Sequence, residues 1–413
     1  MPTATVPTTT SSADGAAVPG RSPVIGWLAV VCVMMGIFSI VTTEILPIGL
    51  LTPIGEEFGT SDGTAGLMMT LPGILAAVAA PAVTVMTRRC DRRVMLAALM
   101  LVLAAADFLA AIAPAYWVML VSRVLVGLVI GAFWSIGAGL ASRLVPQEQA
   151  GRATAVIFSA VPLGSVLGVP AGTLIGNLAG WRVAFAAIGV LTLVVFLALV
   201  LLLPPLPPEN VTRLTVLRDL LGTAHIRVGL VVTFLIVLAH FGTYTFVTPF
   251  LEDVTQAGPA LVTVFLLAFG VAGVVGNFVA GTRVGRAPRV TFTVAAGMLA
   301  AATLLLPVIG AGKPGALVLL VVWGLAYGAV PVCSQRWFLM GAPHAPEAAS
   351  VLFTSSFQAT ISLGALAGGA VVDSASTSAV MVLGGLTSVL MMVTVGLFGR
   401  PRRSAGPGEA PAR

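Results

Sequence analysis

Three ionisable side chains lie inside long apolar segments and are the residues best suited to do chemistry. Glu44, Asp107 and Arg123 each stand several residues inside an apolar run. A charged group at the centre of a membrane helix costs roughly 2.5 to 3.5 kcal/mol, so such a group is a functional candidate. Two acids and one base at a similar depth can pair, and their net charge changes when a proton binds. We therefore predict either a proton-coupling site or a structural ion-pair cluster at these residues.

Five further polar or aromatic residues in apolar segments are candidates to line a substrate path. They are His240, Thr243, Tyr244, Gln358 and Trp134. Hydrocarbon penalises an unpaired polar group, so each polar side chain should face a cavity or bond to another helix. A lone histidine is commonly a packing residue, and helix-to-helix hydrogen bonding explains the other polar groups equally well. Both interpretations stay open at the level of sequence.

Proline and glycine residues predict bends and close helix contacts in two segments. Pro47 follows Glu44 by three residues, where it removes a backbone donor and frees a carbonyl oxygen upstream. Such a break often lines a cavity, and a simple kink is the alternative. Spaced glycines in the fifth segment remove side chains from one helix face, which permits either a hinge or tight packing. The glycines are Gly164, Gly168 and Gly172, and Pro170 adds a bend.

The histidines argue against a membrane enzyme. Such an enzyme would need a cluster of His, Asp or Cys at one membrane face. His225, His240 and His344 are scattered and have no metal-binding spacing. We therefore predict no enzymatic activity, no metal and no cofactor. A membrane sensor that binds a small molecule without moving it remains an alternative to a transporter.

The composition places all these residues in lipid. Hydrophobic residues make up 58% of the 413 residues, charged residues 9%, and the mean hydropathy is +1.06. An average soluble domain carries roughly 25% charged residues. A helix needs roughly 20 apolar residues to cross the hydrocarbon. We predict an all-α integral membrane protein with twelve transmembrane helices.

The apolar runs fall into two sets of six. They cover 25–50, 64–87, 93–113, 117–142, 151–177 and 183–203, and then 226–250, 258–281, 290–310, 315–341, 346–371 and 377–398. A run of prolines between the sets cannot continue a helix and predicts a linker. The predicted domains are a disordered cytoplasmic tail at 1–24, six-helix bundles at 25–203 and 226–398, a cytoplasmic linker at 204–225 and a cytoplasmic tail at 399–413.

The basic residues predict the orientation of the chain. With the N-terminus inside, 17 of the 21 Lys and Arg residues fall on the cytoplasmic side, where basic residues that flank membrane spans are retained. We predict an inner-membrane protein with both termini in the cytoplasm. Short arginine clusters between apolar runs do not form a nucleic-acid-binding face. Four arginines after the second and eighth segments are either topology anchors or a cytoplasmic gate: Arg88, Arg92, Arg283 and Arg286.

Several motifs resemble those of the major facilitator superfamily. Arg123 followed by Gly127 and Gly131 is similar to the fourth-helix motif that the family associates with proton transfer. The glycines of the fifth segment resemble the antiporter motif found in exporters, and the loop from Arg88 to Arg93 resembles the family's motif between helices 2 and 3. The resemblance covers residues 25–398. It implies two pseudo-symmetric six-helix halves that rock about a central site.

Shorter stretches resemble one subgroup of that superfamily. Thr43 to Leu51, Gly180 to Phe185 and Tyr244 to Phe250 are similar to exporters of sugars, purine ribonucleosides and chloramphenicol. This resemblance implies a drug:proton antiporter of the twelve-helix type that confers drug resistance. The implied partners are a small-molecule substrate, protons and the lipid bilayer, and the implied state is a monomer. Because few acids line the predicted path, we expect a neutral or amphipathic substrate.

Overall fold

The computed structural model describes residues 23–86, 90–136, 140–207 and 214–398, which fold almost entirely into α-helices. The helices of the N-terminal half are α1 (Pro23–Phe58), α2 (Asp62–Ala65), α3 (Leu67–Met86), α4 (Arg92–Ala111), α5 (Tyr116–Ile136), α6 (Ala141–Leu144), α7 (Ala150–Phe158), α8 (Ala160–Ala179) and α9 (Trp181–Leu202). The remaining helices are α10 (Leu214–Leu221), α11 (Ala224–Tyr244), α12 (Val247–Asp253), α13 (Pro259–Val284), α14 (Pro288–Ile309), α15 (Lys313–Gly341), α16 (Pro346–Ser374) and α17 (Thr377–Phe398).

Twelve apolar helical segments confirm the predicted all-α membrane fold. Within the described residues, eleven helices are long and apolar enough to span a bilayer, and a shorter apolar stretch, Leu163–Ala179, lies in α8. The outer surface fits a lipid environment. On α9, for example, Val190, Val194, Leu197 and Leu201 are all exposed, an arrangement that water would penalise and hydrocarbon does not.

Equivalent helix pairs show the relation between the two halves. In the N-terminal half α1 packs on α8, α3 on α5 and α4 on α9. In the C-terminal half the same partners recur as α11 on α16, α13 on α15 and α14 on α17. The halves meet where α3 contacts α16 and where α8 contacts α13. Because α3 is equivalent to α13 and α8 to α16, the repeat converts one of these contacts into the other. This is the pseudo-symmetry of two six-helix bundles.

Prolines account for several helix boundaries that differ from the predicted ones. The segment predicted at 226–250 divides between α11 and α12 because Pro249 has no N–H for the Thr245 carbonyl. The segment predicted at 151–177 divides between α7 and α8, where Pro162 cannot donate to Phe158. In contrast, α1 continues through Pro47 and well past its predicted end at residue 50. A short helix, α10, lies in the predicted linker and packs on α11 and α16.

The hydrophobic core joins the halves toward one end of the bundle. This is the predicted outer end, where α1 finishes. Leu50 and Ile54 of α1 belong to one buried cluster with Phe250 of α12. Toward the predicted inner end, Val33 and Ile37 of α1 belong to a separate cluster made of N-terminal residues. Residues 40 to 50 of α1 therefore lie where the shared core begins.

Candidate functional site

Pro47 determines how α1 is attached to α5. A residue with an N–H at position 47 would donate to the Thr43 carbonyl one turn earlier, and proline cannot. The Arg123 guanidinium of α5 takes that place, because its Nη1 donates to the Thr43 carbonyl oxygen at 2.9 Å. Arg123 is fully buried, and its guanidinium also lies over the Phe185 ring at 5.1 Å. The arginine is thus held by a backbone oxygen and an aromatic face.

Asp107 completes this polar cluster from α4. The Thr43 hydroxyl donates to Asp107 Oδ2 at 3.1 Å. The Thr192 side chain of α9 lies close to the same carboxyl group, and its hydroxyl donates to the Ile188 carbonyl at 2.8 Å. Asp107 is close enough to Arg123 for their charges to attract. Asp107 Oδ1 and Arg123 Nη2 are buried and have no hydrogen-bond partner. We call Thr43, Asp107, Arg123 and Thr192 the N-half polar cluster. Sequence reasoning did not select Thr43 or Thr192 as site residues: Thr43 appeared only as the first residue of a stretch that resembles exporters, and no charge or motif marks Thr192.

Glu44 faces the opposite way from Thr43 and contacts the other half. Its carboxyl group is close enough to the Gln358 side chain of α16 and to Tyr327 of α15 for an electrostatic interaction. Only 8% of Glu44 is exposed, and Glu44 Oε1 and Gln358 Oε1 are buried without a partner. The structure therefore brings Asp107 and Arg123 together and places Glu44 at the interface between the halves.

His240 lies inside an aromatic cluster of the C-terminal half, formed with Tyr244, Phe269, Trp323 and Tyr327. Trp323 Nε1 donates to His240 Nδ1 at 3.0 Å, so the ring proton belongs on Nε2, which is buried and has no partner. The rings of Tyr327 and Tyr244 stack on the imidazole with centroid distances of 3.4 and 5.1 Å. Tyr327 is partly exposed. Sequence reasoning missed Trp323 and Tyr327, and their spacing of one helical turn is the signal that could have found them.

The other predicted lining residues have different surroundings. The Thr243 hydroxyl donates to the carbonyls of Ala239 and His240 in its own helix, and its methyl group packs against Gly384 of α17. Trp134 lies in α5, but its side chain lies outside the described residues. Thr243 is therefore satisfied within its half, whereas Gln358 faces the interface.

The glycine face of α8 packs directly on α1. A side chain at Gly168 would meet the Thr42 hydroxyl at 3.1 Å, and one at Gly172 would overlap Leu46. Gly164 belongs to the same face, and Pro170 lies inside α8. On α5, Gly127 packs against the backbone of α3, and Gly131 is buried one turn later. The α8 face thus contacts the turns of α1 that carry Thr43 and Glu44.

The predicted gate arginines occupy separate places. Arg92 is the first residue of α4, and its backbone N–H donates to the Leu206 carbonyl at 2.9 Å. Arg283 and Arg286 are exposed around the end of α13, and Arg88 lies outside the described residues. Asp91, which sequence reasoning did not select, accepts the Leu206 N–H at 3.0 Å. This contact ties the loop before α4 to the chain after α9.

Hydrogen bonds join the halves at the predicted outer end. Asp373 at the end of α16 accepts the Ser61 hydroxyl at 2.8 Å and the Gly63 N–H at 2.9 Å. The Thr248 hydroxyl of α12 donates to the Ile48 carbonyl of α1 at 2.9 Å. These bonds close the outer end above Glu44. Within the described residues, no group of three or more His, Cys, Asp or Glu is placed to hold a metal ion.

Comparison with known proteins settles the family. The family model described as Major Facilitator Superfamily matches residues 26–348. This chain belongs to the major facilitator superfamily. It is accordingly a multi-pass membrane transporter and not an enzyme, and the superfamily fold agrees with its two pseudo-symmetric halves.

Solved structures of other superfamily transporters share this fold. The human organic anion transporter MFSD10 (TETRAN) is 17% identical, with 91% of this chain and 100% of that chain covered and a TM-score of 0.65. A bacterial homologue of the human lysosomal transporter Spinster, in an inward-facing and occupied conformation, is 16% identical, with 92% and 98% covered and a TM-score of 0.69. At these identities the likeness concerns the fold alone.

Proposed function

We propose that this superfamily member is a proton-coupled secondary transporter that exports a small molecule by alternating access. The observation that carries the proposal is the position of Glu44, a buried acid on α1 that lies close to Gln358 of the opposite half. When the halves separate at this level, Glu44 exchanges Gln358 for water. A proton on Glu44 therefore changes the energies of the two states by different amounts. By linkage, proton binding then biases the conformation.

The N-half polar cluster has a supporting role in this proposal. Arg123 holds the backbone of α1 at Thr43, one residue before Glu44. Asp107 balances the charge of Arg123 and holds the Thr43 side chain. Because both contacts lie within one half, they can persist while the halves move. Asp107 and Arg123 would then fix the orientation of the acid that takes up and releases the proton.

The interface chemistry favours a neutral or amphipathic substrate such as a drug, a nucleoside or a sugar-like compound. Glu44 and Gln358 offer hydrogen bonds at the contact between the halves, and the partly exposed Tyr327 offers a ring face. MFSD10 is named as an organic anion transporter. In this chain the buried cation Arg123 already bonds to the Thr43 carbonyl and lies close to Asp107. We therefore propose a substrate without a strong negative charge.

The closed outer end supports export from the cytoplasm. Asp373 and Thr248 bond across the halves at that end, so an opening between the halves would face the predicted inner side. With both termini in the cytoplasm and the protein in the inner membrane, this is the state in which an exporter loads its substrate. We propose that orientation for this chain, with the protein acting as a monomer.

Substitution of the interface acid tests the proposal. A panel of drugs, nucleosides and sugars is first screened for export in a strain without its own efflux pumps. We expect Glu44→Gln to abolish export driven by a proton gradient in proteoliposomes, while counterflow of the same substrate persists because it needs no net proton movement. The matched control is Glu56→Gln, the same change at an exposed residue of α1. Normal gradient-driven export by Glu44→Gln contradicts the proton-coupling role, and wild-type protein that binds but never exchanges substrate indicates a sensor.

A further inference from the structure

The start of α2 and the end of α16 share a polar contact that joins the two halves at the predicted outer end. Asp373 accepts the Ser61 hydroxyl with Oδ2 at 2.8 Å and the Gly63 N–H with Oδ1 at 2.9 Å. The Ser61 oxygen in turn accepts the Thr64 N–H at 3.2 Å. Both oxygens of an ionised carboxylate only accept hydrogen bonds. One side chain of the C-terminal half therefore binds two donors of the N-terminal half.

Two glycines allow the helices to approach closely enough for this contact. A side chain at Gly63 would overlap Asp373 Oδ2 and the Gly369 carbonyl oxygen. A side chain at Gly369 would lie 2.9 Å from the Gly63 carbonyl oxygen, which is too close for a carbon atom. Neither glycine has a positive φ, so the backbone conformation itself does not require glycine. The missing side chains serve the contact between the halves.

The contact is open to water and can therefore break and re-form. Ser61 and Asp373 are both exposed, so water can bind each of them when the helices separate. The bond from Arg123 to the Thr43 carbonyl is different, because it is buried within one half. Breaking a buried bond leaves polar groups without partners, whereas breaking an exposed one does not. The contact at Asp373 thus has the properties of a reversible closure.

The equivalent contact between α8 and α13 is weaker. There the Asn177 side chain donates to the Thr263 hydroxyl at 3.3 Å, and both groups are neutral. Hydrogen bonds to an ionised group are shorter and roughly twice as strong as bonds between neutral groups. Of these two contacts between the halves, the one at Asp373 is therefore the one whose loss should change the closure most.

We propose that Ser61, Gly63, Gly369 and Asp373 form an outer latch whose strength sets the balance between the outer-closed and outward-open states. In the closed state the carboxylate binds its two donors, and in the open state water replaces them. The latch uses helices other than α1, which carries Glu44. Its test measures a distance instead of transport, so the latch and the proposed proton coupling can fail independently.

Distances between spin labels at Ile112 and Val308 test the latch in the whole protein without its native cysteines. Both positions are exposed at the predicted outer end, after α4 and near the end of α14. We expect Gly63→Ala to raise the ratio of long to short distances by about tenfold, the effect of losing one hydrogen bond to a charged group. Ser61→Ala, which removes one donor without a clash, should raise the ratio by about threefold.

Asp62 provides a variant with the opposite expected effect. Its charge lies close enough to that of Asp373 for the two to repel each other. Asp62→Asn removes this repulsion and keeps the latch donors, so it should lower the ratio of long to short distances. In an Asp373→Ala background, Ser61→Ala should cause no further change, because both residues act through the same contact.

Gly276→Ala is the matched control for the added side chain. A side chain at this position would overlap the Leu325 carbonyl oxygen of α15, which is a contact within the C-terminal half. We expect a lower melting temperature in detergent and an unchanged distance ratio. The proposal is overturned by a wild-type ratio in folded Ser61→Ala, whether or not Gly63→Ala folds. An equal shift in Gly276→Ala and Gly63→Ala also overturns it, since the shift would then reflect general destabilisation.

Discussion

Equivalent helix pairs carry charge in one half of the transporter and neutral rings in the other. Arg123 of α5 reaches across to α1, where it bonds to the Thr43 carbonyl. In the C-terminal half the equivalent helices are α15 and α11, and Trp323 of α15 reaches across to His240 of α11. One repeat thus uses a hydrogen bond from a charged guanidinium to a backbone carbonyl, and the other a hydrogen bond from an indole to an imidazole. The difference teaches that buried charged groups are concentrated in the N-terminal half and at its interface, while the equivalent helices of the C-terminal half are joined by neutral rings.

Removal of Arg123 should have the largest effect, because it removes the buried positive charge from the N-half polar cluster. Arg123→Leu leaves Asp107 as an uncompensated buried acid and leaves the Thr43 carbonyl without its partner. We expect a loss of about 3 to 5 kcal/mol in stability, together with loss of export, measured by thermal unfolding in detergent and by transport in proteoliposomes.

The matched test is the double variant Arg123→Leu with Asp107→Leu. Replacing both charges by apolar groups removes the unpaired acid, so the double variant should unfold at a higher temperature than Arg123→Leu alone. If the double variant is the less stable of the two, Asp107 is not held by the charge of Arg123, and the N-half polar cluster is a hydrogen-bond cluster only.

Substitution of His240 should have an intermediate effect and should separate packing from proton coupling. His240→Phe keeps the ring but leaves the Trp323 N–H buried without an acceptor, at a cost of about 1 to 3 kcal/mol. The dependence of export on the proton gradient should not change. In a double-mutant cycle with Trp323→Phe, the combined loss of stability should be smaller than the sum of the single losses. A changed proton dependence in His240→Phe would place proton chemistry in both halves.

Protonation of Glu252 should have the smallest effect, which is a change in the stability of the closed outer end. Burial raises the pKa of Glu252 above its usual value, the nearby Thr52 side chain lowers it, and the negative charges of Asp253, Glu56 and Asp62 raise it further. If the halves separate there, Glu252 becomes hydrated and its pKa falls toward the usual value. The closed state thus binds this proton more tightly, so a lower external pH should stabilise the closed outer end, and the stabilisation should be lost as pH rises.

Distance measurements between the halves check this pH dependence. Spin labels at Leu178 of α8 and Ala260 of α13, both exposed at the predicted outer end, report the separation in a variant without the native cysteines. Lowering the pH from about 7.5 to about 5.5 should shift the populations toward the shorter distance by less than about tenfold, the ratio that one pKa unit would give. Glu252→Gln should favour the shorter distance and weaken the response to pH. An unchanged response would assign the effect to another group.

The sequence predicted the fold well because helices surrounded by lipid must be apolar, so hydropathy marks the membrane spans directly. Runs of about 20 apolar residues, the proline-rich linker and the repeated motifs were enough to predict twelve spans in two halves, and the family match confirms that architecture. Boundaries near Pro162 and Pro249 were placed less well, because a span defined by hydropathy does not register a local break in the helix.

The candidate site was only partly accessible to sequence reasoning, since depth can be counted along a helix but rotation cannot. Counting put Glu44, Asp107 and Arg123 at a similar depth, and Asp107 and Arg123 do lie together. Thr43 and Glu44 are neighbours in sequence, yet they face different halves, and only the packing of α1 between α5 and α16 decides which face is which. Trp323 contacts His240 across 83 residues of sequence, a pairing that no local pattern encodes.

The residue at position 47 affects the hydrogen bond between Arg123 and the Thr43 carbonyl oxygen, although it does not contact Arg123 itself. No exchange of the side chain at 43 can take that acceptor away. A residue with an N–H at 47, in contrast, would donate the usual helical hydrogen bond to the Thr43 carbonyl oxygen, which would then accept from two donors. The strength of the hydrogen bond from Arg123 of α5 to the Thr43 carbonyl of α1 therefore depends on whether the backbone nitrogen at position 47, one helical turn later, carries a hydrogen.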